Sequence, residues 1–200
     1  LLINGSVGIA FSTRTSTAEG LLRDADIAMY RAKGAGKGRF EIFEDSMHAE
    51  IRHQMDLRTD LVRAIQQDEL LLHYQPIVEF EGARMVGVEL LVRWKHPERG
   101  MVSPGEFIPL AEETGLINPL GSWVIAHACK QAGEWHARYP FDPPLSMNIN
   151  ISASQFRKHE LARELRLALT ANGVDPSNIT LEIIESVCKE GWSRILAVLE

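Results

Sequence analysis

Glu89 stands in the middle of an apolar run, Met85-Val86-Gly87-Val88-Glu89-Leu90-Leu91-Val92-Arg93-Trp94, short enough to be a buried strand. A carboxylate buried there without a counter-charge costs far more than a core strand tolerates. Glu89 therefore needs a cationic partner, either a metal ion or a basic side chain. Asn150 and Glu182 fall in two further apolar runs, residues 145–151 and 179–184. Two carboxylates and an amide are hard oxygen donors suited to Mg²⁺, Mn²⁺ or Ca²⁺, whereas zinc would want His or Cys among its ligands. An ion of that kind fits phosphoryl or phosphodiester chemistry, where it polarises a phosphoryl oxygen and generates hydroxide near neutral pH. The competing reading makes the three residues simple caps of the loops that follow their strands.

Other residues divide in the same way. Arg93, four past Glu89, shares its strand face and could grip a phosphate bidentately, or form a structural ion pair with Glu89 itself. Gln75, in Tyr74-Gln75-Pro76, is either a ligand contact or a satisfied core amide. Ser152 and Ser154 read as helix caps, having no base beside them. Lys33-Gly34-Ala35-Gly36-Lys37-Gly38 invites a phosphate-loop reading, but no Ser or Thr follows the lysine and a helix precedes it. A glycine-rich helix stop is the simpler account.

These residues need elements to position them. Residues 7–11 suggest a strand, and Ser16 with Glu19 has capping-box spacing ahead of a helix that should end at Gly34. Residues 39–43 make a short strand. Residues 45–67 form a charged helix with one apolar stripe, a good inter-domain connector, and place a domain boundary near residue 50. Beyond it, strands at 70–78, 85–94, 145–151 and 179–184 alternate with helices at 107–113, from Pro119 to about Arg138, and at 160–171. A final helix begins near Gly191. Repeated strand-helix units point to an α/β fold with a parallel sheet, which a barrel would close; reactive residues then gather at the carboxyl ends of the strands.

Composition sets outer limits. With 45% hydrophobic and 24% charged residues the chain has the make-up of a globular protein. A formal net charge of −6, with no long basic stretch, argues against a nucleic-acid polymer as partner. Cys129 and Cys188 lie far apart without metal-ligand spacing, which favours a reduced, cytoplasmic setting. No run approaches the roughly 18 apolar residues of a membrane helix. Both ends read as interrupted elements, so the chain is expected to be part of a longer protein.

Several runs in order carry a resemblance. Leu72-His73-Tyr74-Gln75-Pro76-Ile77, Glu89-Leu90-Leu91-Val92-Arg93-Trp94, His96-Pro97, Phe107-Ile108-Pro109-Leu110-Ala111-Glu112, Asn148-Ile149-Asn150-Ile151-Ser152 and Leu181-Glu182-Ile183-Ile184-Glu185 stand in sequence. Through them residues 58–200 resemble the EAL domain, the bacterial cyclic-di-GMP phosphodiesterase module with a modified TIM-barrel fold. Residues 1–44 resemble the carboxyl-terminal part of an α+β GGDEF (diguanylate cyclase) domain, through Ser6-Val7-Gly8-Ile9-Ala10 and Ala25-Asp26-Ile27-Ala28-Met29-Tyr30-Arg31-Ala32-Lys33. Residues 45–57 then link the two, as in the tandem GGDEF–EAL proteins of second-messenger signalling.

The resemblance implies metal-dependent hydrolysis of cyclic-di-GMP to the linear dinucleotide, with Mg²⁺ or Mn²⁺ as cofactor. It implies Glu89, Asn150 and Glu182 as metal ligands and Gln75 and Arg93 as dinucleotide contacts. In the preceding piece it implies nucleotide binding at Lys33, and at Lys37, where an arginine is usual. A homodimer is a further expectation. Two substitutions depart from the family pattern, Leu90 for a usual alanine and Ile184 for a usual threonine. The family's paired aspartates, catalytic lysine and later acidic ligands are expected beyond Glu200, and the GGDEF signature loop before Leu1. Activity is therefore expected of the longer protein rather than of this stretch alone. A catalytically silent cyclic-di-GMP receptor and a parent acting mainly as a cyclase are the alternatives.

Overall fold

The computed structural model of the 200-residue chain describes residues 5–139, 141–156 and 160–183. Ile184, Cys188 and the helix expected near Gly191 lie outside the described residues. The chain divides into two compact units, Leu1–Leu57 and Arg58–Glu200.

In the first unit, strand β1 (Val7–Ile9) runs parallel to β2 (Phe40–Ile42), and helix α1 (Ala18–Gly34) connects them. Parallel neighbours require such a crossover. The helix begins one residue later than the Ser16–Glu19 spacing suggests. Ser16 Oγ is taken by the Thr13 N–H at 2.8 Å, and Thr17 becomes the cap, its hydroxyl accepting from Gly20 N at 3.1 Å. The stop at Gly34 stands. Ala35 N donates to Arg31 O at 2.9 Å and Lys37 N to Ala32 O at 3.1 Å, with Gly36 at φ 106° and Lys37 at φ 61°. Those amides close the helix end and do not form a phosphate cradle. Helix α2 (Ser46–Gln66) contains the division between the units, after Leu57.

The second unit is built on a five-stranded sheet. Strand β3 (Leu70–Val78) pairs antiparallel with β4 (Met85–His96), from Leu70 opposite Trp94 to Val78 opposite Met85. The parallel sheet expected from the strand-helix units therefore does not extend to this pair. The connection over residues 79–84 is closed by Glu79 N to Arg84 O at 2.9 Å and turned by Gly82 and Ala83 at φ 90° and 50°. A link that short can join only antiparallel strands, since parallel ones need a crossover of about a dozen residues. Strand β5 (Gly100–Val102) folds back antiparallel on the end of β4. From β4 onward the strand-helix alternation does give parallel neighbours. Helices α3 (Pro104–Thr114) and α4 (Ile117–Arg138) lead to β6 (Ser146–Ile151), which pairs parallel with β4. A one-turn helix α5 (Ala153–Phe156) and helix α6 (Glu160–Asn172) lead to β7 (Ile179–Ile183), parallel to β6. The order across the sheet is β3-β4-β6-β7. Helix α4 starts at Ile117, so Pro119 is its third residue and not its first; its missing N–H is one that no helix start satisfies internally.

Successive side chains of a strand point to opposite faces, and here the two faces differ in kind. One carries Val88, Leu90, Met147, Ile149 and Ile151, packed with Ile125, Ala128, Cys129 and Ala132 of α4 and Leu161 and Leu169 of α6. Trp94 ends that row fully buried, edge-on to Phe107 with ring centroids 5.7 Å apart. Leu90, the departure from the family's usual alanine, is 3% exposed within this layer and points away from the polar face. The other face carries the polar side chains.

Candidate functional site

On the second face, period-two alternation and strand register bring separated residues together. Gln75 lies opposite Glu89, Glu89 opposite Asn148, and Asn150 opposite Glu182. Opposed residues project to the same side, so the face carries Gln75 from β3, Glu89 and Arg93 from β4, Asn148 and Asn150 from β6 and Glu182 from β7. Sequence separation is large, but the register is continuous across four strands.

The hydrogen bonds follow this layout. Asn150 Nδ2 donates to Glu89 Oε1 at 2.9 Å, and Asn148 Nδ2 donates to a Glu182 carboxylate oxygen. Each acid thus accepts from an amide one strand away. With its nitrogen turned to Glu89, Asn150 keeps Oδ1 as an unengaged acceptor among the described bonds. Glu89 and Glu182 are both partly exposed, not sealed in a core. The premise that Glu89 must be neutralised inside a buried strand is corrected accordingly: its strand has one dry face and one accessible face. Among the described residues its partner is the Asn150 amide. Arg93 does not pair with Glu89; its Nη1 donates to the Val92 carbonyl at 2.9 Å. Gln75 is exposed on this face and is not a core amide.

A cavity of about 340 Å³ opens at the carboxyl end of β4 and β6, with Glu89, Arg93 and Asn150 in its wall. Leu90, Ile151 and apolar side chains of α3 and α4, among them Ile108, Ile117 and Leu120, also line it, with Glu112 as an added carboxylate. Gln75 and Glu182 share the sheet face but lie one strand to either side of this cavity. Lys33 and Lys37 belong to the other unit, exposed at the stop of α1.

The end of β4 that holds Arg93 is anchored by an ionic frame. Trp94 Nε1 donates to Glu69 Oε2 at 3.1 Å, and Arg63 Nε to Glu69 Oε1 at 2.9 Å. Arg63 also meets Asp60 at 3.0 Å. Buried His96 accepts from the amides of Glu98 and Arg99 at Nδ1, both at 3.1 Å, which puts its proton on Nε2. That Nε2 lies 3.0 Å from Asp60 Oδ2, within ion-pair distance. Burial pushes the Asp60 carboxyl up, but His96, Arg63 and Arg99 outweigh it and hold the acid below the usual carboxylate range. Glu69 behaves alike: burial raises it, and Arg63 and Trp94 bring it below its ordinary value.

Sequence reasoning did not single out Asn148, Glu112 or Gln155. For Asn148 the signal was there, since it lies two residues from Asn150 and so shares its face. Glu112 ends one of the runs that carry the family resemblance and Gln155 stands at capping-box spacing from Ser152, but only the packing of α3, α4 and the β6 exit brings them to the cavity.

A mixed sheet with apolar helices on one face and acids, amides and an arginine converging on the other is an α/β scaffold for an oxyanion or hard-cation site. The chain belongs to the EAL domain family, whose model matches residues 58–199. Its fold is the TIM-like barrel type of EAL domain structures. The chain is 39% identical, over 99% of its length, to the bifunctional diguanylate cyclase/cyclic di-GMP phosphodiesterase MucR of Pseudomonas aeruginosa. It is 37% identical, over 98% of its length, to the cyclic di-GMP phosphodiesterase PdeR of Escherichia coli. It spans 29% of the length of each of these relatives. Among solved structures, a PaMucR phosphodiesterase in complex with c-di-GMP superposes with a TM-score of 0.67 at 39% identity, covering 72% of this chain and 57% of that one. Among the described residues no helix is long and apolar enough to cross a membrane.

Proposed function

We propose that the longer protein hydrolyses cyclic-di-GMP to the linear dinucleotide, and that residues 58–200 supply part of the phosphodiesterase site. The observation that carries this reading is the co-facial set of Glu89, Asn150 and Glu182 with Arg93 and Gln75, on the strands the family model covers. Two relatives named for this activity support it.

The donor set fits a hard divalent ion, Mg²⁺ or Mn²⁺: carboxylate oxygens from Glu89 and Glu182 and the Asn150 Oδ1 left over from its bond to Glu89. When bound, such an ion polarises a phosphoryl oxygen and makes hydroxide available near neutral pH. The chain's own side chains do the rest. Asn150 fixes which way Glu89 points. Arg93 offers its guanidinium to a phosphate oxygen, charge-assisted and directional. Gln75, opposite Glu89, offers an amide to the dinucleotide, and the apolar wall of the cavity takes up flat, poorly hydrated surface and keeps water out.

In the same reading, residues 1–44 are the end of a GGDEF domain, residues 45–57 a helical linker, and Lys33 and Lys37 nucleotide contacts. Support comes from the MucR match, which runs through the residues ahead of the EAL match to a relative named as bifunctional. A cytoplasmic setting accords with the free, buried thiol of Cys129.

The test is hydrolysis of cyclic-di-GMP by the full-length protein with Mg²⁺ or Mn²⁺, alongside Glu89→Ala. Turnover in the wild type that disappears in the variant supports the reading. Tight binding without turnover would make the protein a receptor, and linear product formed equally by Glu89→Ala would overturn the site assignment.

A further inference from the structure

Asn150 stands where its strand begins to lose support. The ladder between β4 and β6 runs from Gly87–Ser146 to Leu90–Ile149 and no further. From Asn150 on, β6 is paired only with β7, as far as Ile151 opposite Ile183. What holds the strand exit on the α4 side is a reciprocal box over the next four residues. The Ser152 N–H donates to Gln155 Oε1 at 3.0 Å, and the Gln155 N–H donates to Ser152 Oγ at 3.3 Å. Both residues are buried, at 5% and 6% exposure, so neither bond can be exchanged for water without cost. The Gln155 side chain is itself wedged. A methyl placed on Gly121 of α4 would collide with Gln155 Nε2 and come within 2.8 Å of its Cδ. Gly121 and Gln155 both line the cavity that holds Glu89, Arg93 and Asn150.

We propose that Gln155 is a positioning residue: seated in the notch left by Gly121, it fixes the exit of β6 so that the Asn150 amide bonds Glu89 and turns its oxygen toward the cation. This inference rests on the metal-site reading above and adds to it how the amide ligand is held. A glycine inside a helix, here the fifth residue of α4, is otherwise a poor choice, since alanine is the better helix former. Its presence is explained by the space Gln155 needs.

The test uses Gln155→Ala, Gly121→Ala and the double variant in the full-length protein. Mn²⁺ binding is read by electron paramagnetic resonance, and turnover is followed as a function of Mn²⁺. Each single variant is expected to weaken Mn²⁺ binding about tenfold, the scale for groups that orient a metal ligand, with turnover recovering at saturating Mn²⁺. A merely structural role would not give that recovery. In the double variant Gly121→Ala should add nothing, because the side chain it displaces is gone. Mn²⁺ titrations of the singles that overlay the wild type would overturn the proposal, as would fully additive losses or loss of near-ultraviolet circular dichroism in both singles. A wild type that binds Mn²⁺ but does not hydrolyse cyclic-di-GMP would defeat the phosphodiesterase reading and leave this one standing. A wild type that binds no Mn²⁺ would defeat both.

Discussion

Glu89 and Asn150 form the centre of the polar face, and their bond gives the first expectation. On the metal-site proposal above, Asn150→Ala should cost metal affinity twice over, by removing an oxygen donor and by releasing the Glu89 carboxylate to reorient. Glu89→Ala should lower phosphodiesterase turnover of the full-length protein by at least about 100-fold, beyond the usual effect of losing an orienting neighbour. Steady-state assays followed as a function of Mn²⁺ check both. Arg93 should behave differently. It does not pair with Glu89, so Arg93→Lys should raise KM for the dinucleotide while leaving Mn²⁺ binding near wild type, because lysine cannot reproduce a bidentate fork. At this scale the sequence picked out residues that share one sheet face and was poor about their environment. An acid flanked by Val88 and Leu90 reads as buried. Only the second layer, helices on one side of the sheet, decides which face is dry.

At the scale of elements, β4 is held at both ends by different means. At its start, Gly87 lies against Ser146, and an added methyl would collide with Ser146 Oγ and come within 2.8 Å of its carbonyl oxygen. Gly87→Ala should destabilise the EAL unit by about 1–3 kcal/mol, measured by urea midpoint, because backbone must move to admit the methyl. At its other end stand Asp60, Glu69, Arg63 and His96. Both acids titrate below their ordinary values, so they bind fewer protons folded than unfolded. Their stabilisation is therefore complete above about pH 4 to 5 and lost as pH falls through their lowered folded values. Asp60→Asn with Glu69→Gln should lower stability at neutral pH and flatten its decline on acidification. The helix-to-strand alternation beyond β4 was legible from periodicity. The antiparallel β3 was not inferred, although the brevity of the 79–84 connection contained the answer.

Across the EAL unit, Cys129 reports on the whole layer between sheet and helices. It is fully buried, and that burial pushes its thiol up to about 11. In the folded protein it should resist a thiol reagent near neutral pH and react in step with unfolding, so that labelling rate against urea tracks the loss of circular dichroism. Labelling well before that transition would show local opening of α4. The family resemblance made the overall architecture readable before any coordinates, because its motifs sit on successive strands. The support of the β6 exit was not readable. Gly121 and Gln155 are unrelated letters in the chain until α4 packs beside that turn.

The two-faced sheet makes folding and chemistry answer to one alignment. Side chains alternate along β4, so sliding it by one residue against β6 would send Glu89 into the oily layer and bring Val88 and Leu90 out to the polar face. The fit of Gly87 against Ser146, two residues upstream of Glu89, acts as the index mark that prevents this. A single-residue insertion between Gly87 and Glu89 should therefore abolish the fold and the activity together, whereas the same insertion in the 79–84 turn should be far better tolerated. Deep insertional scanning would show this as a sharp boundary at the glycine.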